Sequence, residues 1–464
     1  MSGSKRVLII DNLFPPQRVG NVRTVKFVKY LPFYGWEPQV LTISMGGIEE
    51  IDSSVALEVS GEVKVHRAFY PNPFASVKRW KERLGHRVSP EEGEGRGSGA
   101  GSTPNPAIKA LFPLKRGIGY GLYLVRRYLL IPEELILWLP FAVLKGARIC
   151  RGEGIDLIFS TAPFFVNHLV ALALKTMTGL PWVADYRNLW VDNPTRGHRT
   201  PLHRAVEERL DRRVIECSDK IVVIAEQMKE FLLNRYPSLK PEDVTCIGNG
   251  YDPSDFDFTP PAPERDRFLI SYTGAIYDGY PTAQFLTAVG ELVRGDPEMR
   301  EKLRVAFYGA VTEAERDKME GIIDGYGMRD IVSFGGVIPR REALMQAAAS
   351  NALLLMFGGR GANIETVIPG KLYDYIAAGK PVIAVVPEGA AAELVRRGNC
   401  GVVVDPDDTR GIKKAILRLY RSRGSEDQPD FKPDEEYLGR FDRRRLTKLL
   451  ADLFDEVISK REGA

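Results

Sequence analysis

Residues 364–383 read IETVIPGKLYDYIAAGKPVI. Pro369-Gly370 opens a short predicted helix from Lys371 to Ala378, Gly379 ends it, and Pro381 to Val386 begins an apolar strand. Proline just inside a helix start and glycine just past its end is the expected asymmetry. A helix start presents N–H groups without intrahelical partners at the positive end of the dipole, which suits a phosphate. Lys371 adds a full charge in the first turn, and Asp374, one turn on, adds an acceptor for sugar hydroxyls. The same spacing also fits an ordinary helix–strand unit whose Lys and Asp are solvated.

Upstream, Phe268 to Thr273, Leu303 to Gly309, Ile331 to Phe334 and Ala352 to Met356 are short continuous apolar runs, as in parallel strands buried on both faces. Gly274 closes the first, and the loop GAIYDGYPT leads into a predicted helix from Ala283 to Val293. No Arg or Lys lies between Gly274 and Thr282, so a phosphate there depends on backbone N–H groups, on Lys371 or on groups elsewhere.

The N-terminal half repeats the rhythm. Lys5 to Asp11 is a buried-strand run, and the loop NLFPPQRVGNVRT leads to a predicted helix, Thr24 to Tyr34, capped by Gly35. Pro38 to Ile43 follows as a second strand and residues 63–69 as a third. Strand, loop, helix, strand is the start of a doubly wound sheet, whose ligands sit at the carboxyl ends of its strands. Without Gly-x-Gly-x-x-Gly or an acidic residue ending the second strand, a dinucleotide cofactor is disfavoured. Residues 86–106 are Gly/Ser/Glu-rich and read as a flexible insertion. Ile108 to Leu130 interleaves Lys and Arg with Leu, Phe and Tyr; it suits either an anionic membrane surface or a helix pair with a solvated basic face. Asp156 to Ser160 and Trp182 to Ala184 are further strands, with Asp185 and Arg187 just past the end of the second, where they would face a cleft. Asp219 to Ala225 and Val244 to Gly250 complete the first sheet, and Pro260 to Pro263 reads as a linker. The expected domains are 1–260, 261–440 and a terminal segment 441–464, in which Leu446, Leu449, Leu450, Leu453, Phe454 and Val457 form an amphipathic helix.

Composition agrees. A chain of 464 residues with 44% apolar and 27% charged content suits two or three soluble domains, and a net charge of +3 argues no nucleic-acid partner. Cys150, Cys217, Cys246 and Cys400 are too scattered for zinc or a disulfide framework, so a reducing cytoplasm is the expected location. MSGSKRVLIIDN is too short in apolar residues for a signal peptide. Tyr128 to Leu144 is interrupted by Pro132, Glu133, Glu134 and Pro140, so no bilayer span is expected there.

IPGKLYDYIAAGKPVIA resembles the signature of the retaining glycosyltransferases of family 4, Pro-x-Lys-x-x-Glu-(Tyr/Ala)-x-Ala-x-Gly-x-Pro-Val, with Asp374 in place of the Glu. Further resemblances are FPPQRVGNVR, the block containing Ser160, Pro163, His168 and Asp185-Tyr186-Arg187, and IGNGYDPSDF. The resemblance implies the GT-B architecture: two facing doubly wound (Rossmann-like) α/β domains with a C-terminal helix crossing back. It implies transfer of a hexosyl group from a UDP- or GDP-linked nucleotide-sugar to a lipid-linked, glycan or small-molecule acceptor, without a metal or other cofactor. It places Lys371, Asp185 and Arg187 in catalysis. Gly274, Glu365, Thr366, Gly370, Lys371 and Asp374 would hold the nucleotide-sugar, with Arg340 or Arg341, the latter preferred. Gly20, Arg23 and His168 would lie on the acceptor side. The first acid of the family's Glu-x7-Glu pair is replaced by Thr366, with Glu365 beside it, so either takes that role. Cell-surface polysaccharide or glycolipid synthesis at the inner membrane face would follow. A sugar-nucleotide 2-epimerase or a non-catalytic sugar-nucleotide scaffold shares the architecture; turnover without an acceptor singles out the first.

Overall fold

Among the described residues thirteen strands, most of them apolar runs that need cover on both faces, divide between two all-parallel sheets in a computed structural model of the chain. It describes residues 4–15, 22–44, 63–72, 128, 130–193, 200–259, 261, 266–358, 363–422 and 432–462. Gly20, the expected insertion 86–106 and nearly all of 108–130 lie outside these residues.

The first sheet contains β1 (Lys5–Ile10), β2 (Trp36–Ile43), β3 (Lys64–Ala68), β4 (Leu157–Ala162), β5 (Trp182–Tyr186), β6 (Lys220–Val223) and β7 (Val244–Cys246). Their order is β3-β2-β1-β4-β5-β6-β7, which reverses direction between β1 and β4. The second sheet contains β8 (Phe268–Thr273), β9 (Leu303–Tyr308), β10 (Val332–Gly336), β11 (Ala352–Met356), β12 (Val382–Val385) and β13 (Gly401–Val404), ordered β10-β9-β8-β11-β12-β13. Its reversal lies between β8 and β11. Both reversals open a crevice at the carboxyl ends of the strands, where ligands of this fold class bind. Each sheet has a core on either face. Leu8, Ile10, Ile158 and Trp182 pack on one side of the first sheet and Val7, Ile9, Val40 and Phe159 on the other.

The helix after β1 spans Val22–Tyr30 and passes into a 3-10 turn, Leu31–Tyr34, that ends at Gly35 with φ of 82°. Pro32 lies at the start of that turn and the α geometry stops there, which shortens the helix expected from the spacing. The C-terminal helix, Arg443–Glu462, crosses back onto the first sheet. Leu446, Leu450, Phe454 and Val457 pack against Val7, Ile9, Val28 and Trp36, and Asp455 accepts from Lys5 Nζ at 2.8 Å and Trp36 Nε1 at 3.1 Å. The two chain crossings between the sheets touch: Tyr251 N–H donates to Phe441 O at 3.0 Å, and Arg443 N–H to Tyr251 O at 2.9 Å. Only glycine fits at 250, because a Cβ there would lie 2.0 Å from Phe441 O. Among the described residues no helix is long and apolar enough to cross a membrane, and no group of His, Cys, Asp or Glu side chains is placed to hold a metal ion.

Candidate active site

The crevice at the β8/β11 reversal is built from the end of β8 and the short helix Lys371–Ala377. Tyr375 on that helix docks it to the sheet, its hydroxyl accepting from Thr273 N–H at 2.9 Å. One residue on, Gly274 has φ of 118°, and a Cβ there would meet Lys371 Nζ at 2.9 Å. Lys371 thus reaches over bare backbone at the strand end. Its ammonium lies 3.8 Å from the centroid of the Tyr272 ring and donates to the Tyr272 hydroxyl. Burial, with no carboxylate paired to it among the described residues, pushes the Lys371 pKa down to about 7. A buried ammonium in this position gains charge stabilisation from an arriving anion.

Asp374, three residues along the helix, carries a different burden. Arg340 grips it side-on, with Nη1 donating to Oδ2 at 3.0 Å and Nη2 to Oδ1 at 2.9 Å. Nη2 also reaches Asp255 Oδ2 at 3.2 Å, and the other oxygen of Asp255 takes Lys26 from the first sheet's helix. Burial opposes the charge on Arg340, but Asp374 and then Asp255 outweigh it and raise its pKa above the ordinary value.

A cavity of about 160 Å³ lies between the strand ends of the first sheet and the loop that precedes the helix Lys371–Ala377. Pro163, Arg187, Asn188 and Asn249 line it from strand ends of the first sheet, and Thr366, Val367 and Ile368 from the loop after β11. Asn363 Nδ2 donating to Asp192 O at 2.9 Å and Gln227 Nε2 to Glu393 at 2.8 Å link the two halves at its margin.

Against this geometry stand the comparisons with known proteins. A model described as Glycosyltransferase Family 4 matches residues 101–255, and one described as Glycosyl transferases group 1 matches residues 267–422. Together they take in β4 to β7 of the first sheet and the whole of the second. The chain belongs to glycosyltransferase family 4. A D-inositol 3-phosphate glycosyltransferase of Frankia alni is 24% identical over 272 residues, 56% of this chain and 64% of that protein. The same enzyme of Thermomonospora curvata is 28% identical over 33% of this chain and 35% of its own length. The chain therefore spans less than two thirds of these curated relatives. Among solved structures, sucrose-phosphate synthase from Thermosynechococcus elongatus superposes with a TM-score of 0.62 at 15% identity, covering 98% of this chain and all (100%) of that one. Anabaena HepE in complex with UDP superposes at 0.61 and 13% identity, covering 97% and 100%. At these identities the likeness is one of fold, the GT-B fold.

Within this family 4 chain the expected site residues separate into three groups. Lys371, Gly274 and Gly370 come together at the crevice, and Thr366 and Arg187 at the cavity. Arg187 Nε donates to Ala162 O at 2.8 Å, and the Thr366 hydroxyl donates to Asn363 O at 2.8 Å, while Glu365 is exposed beside it. A second group is walled off. Asp185 does not face the cleft: it is fully buried, held by Arg23 through Nε at 3.1 Å and Nη2 at 2.9 Å and by the Thr161 hydroxyl at 2.7 Å. Arg23 is itself buried and also donates to Ile247 O at 2.8 Å. This pair fastens the β1–helix connection to strand ends β5 and β7 rather than waiting for an acceptor. His168 is likewise a core residue, its ring stacked on Tyr186 with centroids 4.7 Å apart and Nδ1 bonded to Ser160 Oγ at 2.8 Å. Burial pushes its pKa down to about 3, so it is neutral at ordinary pH. The third group is a matter of helix phase. Arg341 is exposed, and the neighbouring Arg340 is the one that turns inward. Residues 340, 344 and 347 share one face of the helix Arg340–Ala349, and Leu344 and Ala347 are buried. That spacing is legible in sequence and singles out Arg340. Nothing local marks Tyr272, Lys26 or Asp255, whose partners lie 99, 229 and 85 residues away.

Proposed function

We propose that the protein transfers a sugar, with retention of anomeric configuration, from a nucleoside-diphosphate sugar bound in the β8/β11 crevice to an acceptor entering against the first sheet. The observation that carries this reading is the Lys371 ammonium lying over the side-chain-free backbone of Gly274 at the end of β8, a cation placed to meet an anion. As the bond from the anomeric carbon to the diphosphate breaks, negative charge grows on the leaving oxygen. A prepositioned cation in a partly desolvated site stabilises that charge more than it stabilises the ground state. Asp374 offers its remaining lone pairs to the nucleotide ribose, and Arg187 and Thr366 bound the space where donor sugar and acceptor would meet. UDP in the HepE structure and the glycosyltransferase names of the curated relatives support a nucleotide-sugar donor. A cell-surface glycan or glycolipid acceptor at the inner membrane face is the accompanying proposal, supported by a 23%-identical exopolysaccharide phosphotransferase of Streptomyces coelicolor, matched over 24% of its length.

The test is calorimetry of the full chain with UDP, GDP, ADP and their common sugar conjugates. Binding of one nucleotide class by wild type, and transfer from its sugar conjugate falling at least about a hundredfold in Lys371→Ala, is the expected pattern. Unchanged transfer by that variant removes Lys371 from the mechanism. Isomerisation of the donor with no acceptor present points instead to an epimerase.

A further inference from the structure

We propose that Arg340 is a positioning residue that couples nucleotide occupancy at Asp374 to the relative placement of the two sheets; this rests on the donor-site reading above. Arg340 belongs to the second sheet's domain, yet its Nη2 is shared between Asp374 at 2.9 Å and Asp255 at 3.2 Å. Asp255 sits in the 3-10 turn Pro253–Phe256, on the first crossing between the sheets. From there the chain of charges runs into the first sheet's domain. Lys26 pairs with both Asp255 and Asp252, and Asp252 also accepts from Tyr30 Oη at 2.8 Å and Lys29 Nζ at 3.1 Å. A single continuous network therefore joins the helix Val22–Tyr30 to the helix Lys371–Ala377, with Arg340 linking Asp255 to Asp374.

The geometry at Asp374 leaves acceptor capacity for a ligand. A side-on guanidinium uses one lone pair of each carboxylate oxygen and fixes the plane of the carboxylate. The second lone pair of each oxygen remains for a vicinal diol. Hydroxyls arriving there compete for the same negative charge and shift Asp374 relative to Nη2. Because Nη2 is shared, any such shift redistributes its bonding towards or away from Asp255. The carboxylates of Asp255 and Asp374 are only 9% and 20% exposed, so ionic strength screens this exchange weakly. Linkage then requires that the contact with Asp255 feed back on nucleotide affinity by the same factor.

Asp255→Asn is nearly isosteric and lies outside the proposed donor site; it weakens the contacts of Asp255 with both Arg340 and Lys26, the two sides of the link. The experiment titrates UDP and GDP into the full-length wild type, Asp255→Asn, Arg340→Lys and Arg340→Ala, with a fluorescent pair reporting the distance between the domains. Wild type is expected to change that distance on saturation. Asp255→Asn and Arg340→Ala are expected to lose the nucleotide-dependent change and to bind about 5- to 50-fold more weakly. The double variant is expected to lose no more than the worse single one, as for residues acting through one contact. Arg340→Lys is expected to lose the change as well, since an ammonium lacks the planar fork that holds Asp374 side-on while reaching Asp255. If Arg340→Ala does not fold, Asp255→Asn carries the test alone. Wild-type affinity and wild-type distance change in Asp255→Asn overturn this inference and leave the donor site standing. Failure of wild type to bind either nucleotide overturns both.

Discussion

Lys371 is a base held against its solution preference: burial brings its pKa to about 7 from an ordinary 10.5. The unfolded chain therefore holds more protons than the folded one between about pH 7 and 10.5, so this group's share of stability rises with pH across that window. Ligand binding has the opposite sign. A diphosphate favours the ammonium, so binding above pH 7 takes up a proton and affinity falls as pH rises, by up to about one log unit per pH unit. Calorimetry at pH 8 in buffers of differing ionisation enthalpy is expected to report uptake approaching one proton; a flat affinity from pH 6.5 to 9 would separate Lys371 from the diphosphate. Lys371 was legible in the sequence because Pro369, Gly370 and Gly379 bracket it on a short helix. Asp185 and Arg23 were legible as residue types at strand ends but not as each other's partners, since their pairing spans 162 residues. His168 stood at a plausible position, but helix phase and the neighbouring Trp182 and Tyr186 rings send it into the core.

At the scale of the element, parallel strands announce themselves as unbroken apolar runs: β1, β3, β6, β7, β8, β9, β11 and β12 lie wholly within the expected stretches, β2, β4, β5 and β10 run beyond theirs, and β13 was not among the expected strands. What such runs do not carry is register or the path of the connection that follows. The connection after β8 illustrates this. Gly274 is needed for two reasons at once, a φ of 118° that side chains resist and the close approach of Lys371. Gly274→Ala would strain the turn by roughly 1–3 kcal/mol. The near neighbour is the flexible end of Lys371 rather than backbone, so the side chain yields. The expected outcome is a modest fall in melting temperature with a loss of about tenfold or more in nucleotide affinity. A melting loss with unchanged affinity would mean that Lys371 finds the ligand from elsewhere.

At the scale of the molecule, the C-terminal helix is a component of the first sheet's core. Phe454 packs edge-on against Trp36 at 5.1 Å and Phe159 at 5.5 Å, and all three are essentially inaccessible. Phe454→Ala is expected to destabilise that half by about 3–5 kcal/mol, read by denaturant titration of wild type and variant. The periodicity of residues 446–457 made the helix visible in sequence; only family resemblance said which sheet it covers, because an amphipathic stripe does not name its partner. The two chain crossings that meet at Tyr251 and Asp442 carry a further consequence. Everything from β8 to the end of residue 438 leaves the first sheet's domain and returns to it at neighbouring points of one hydrogen-bonded seam. In topological terms the second sheet's half is a cassette inserted into a fold that is completed after it. On the function proposed above, splicing a relative's cassette between these adjacent points is expected to exchange the sugar-donor preference as a unit, leaving the first sheet and its closing helix in the original chain.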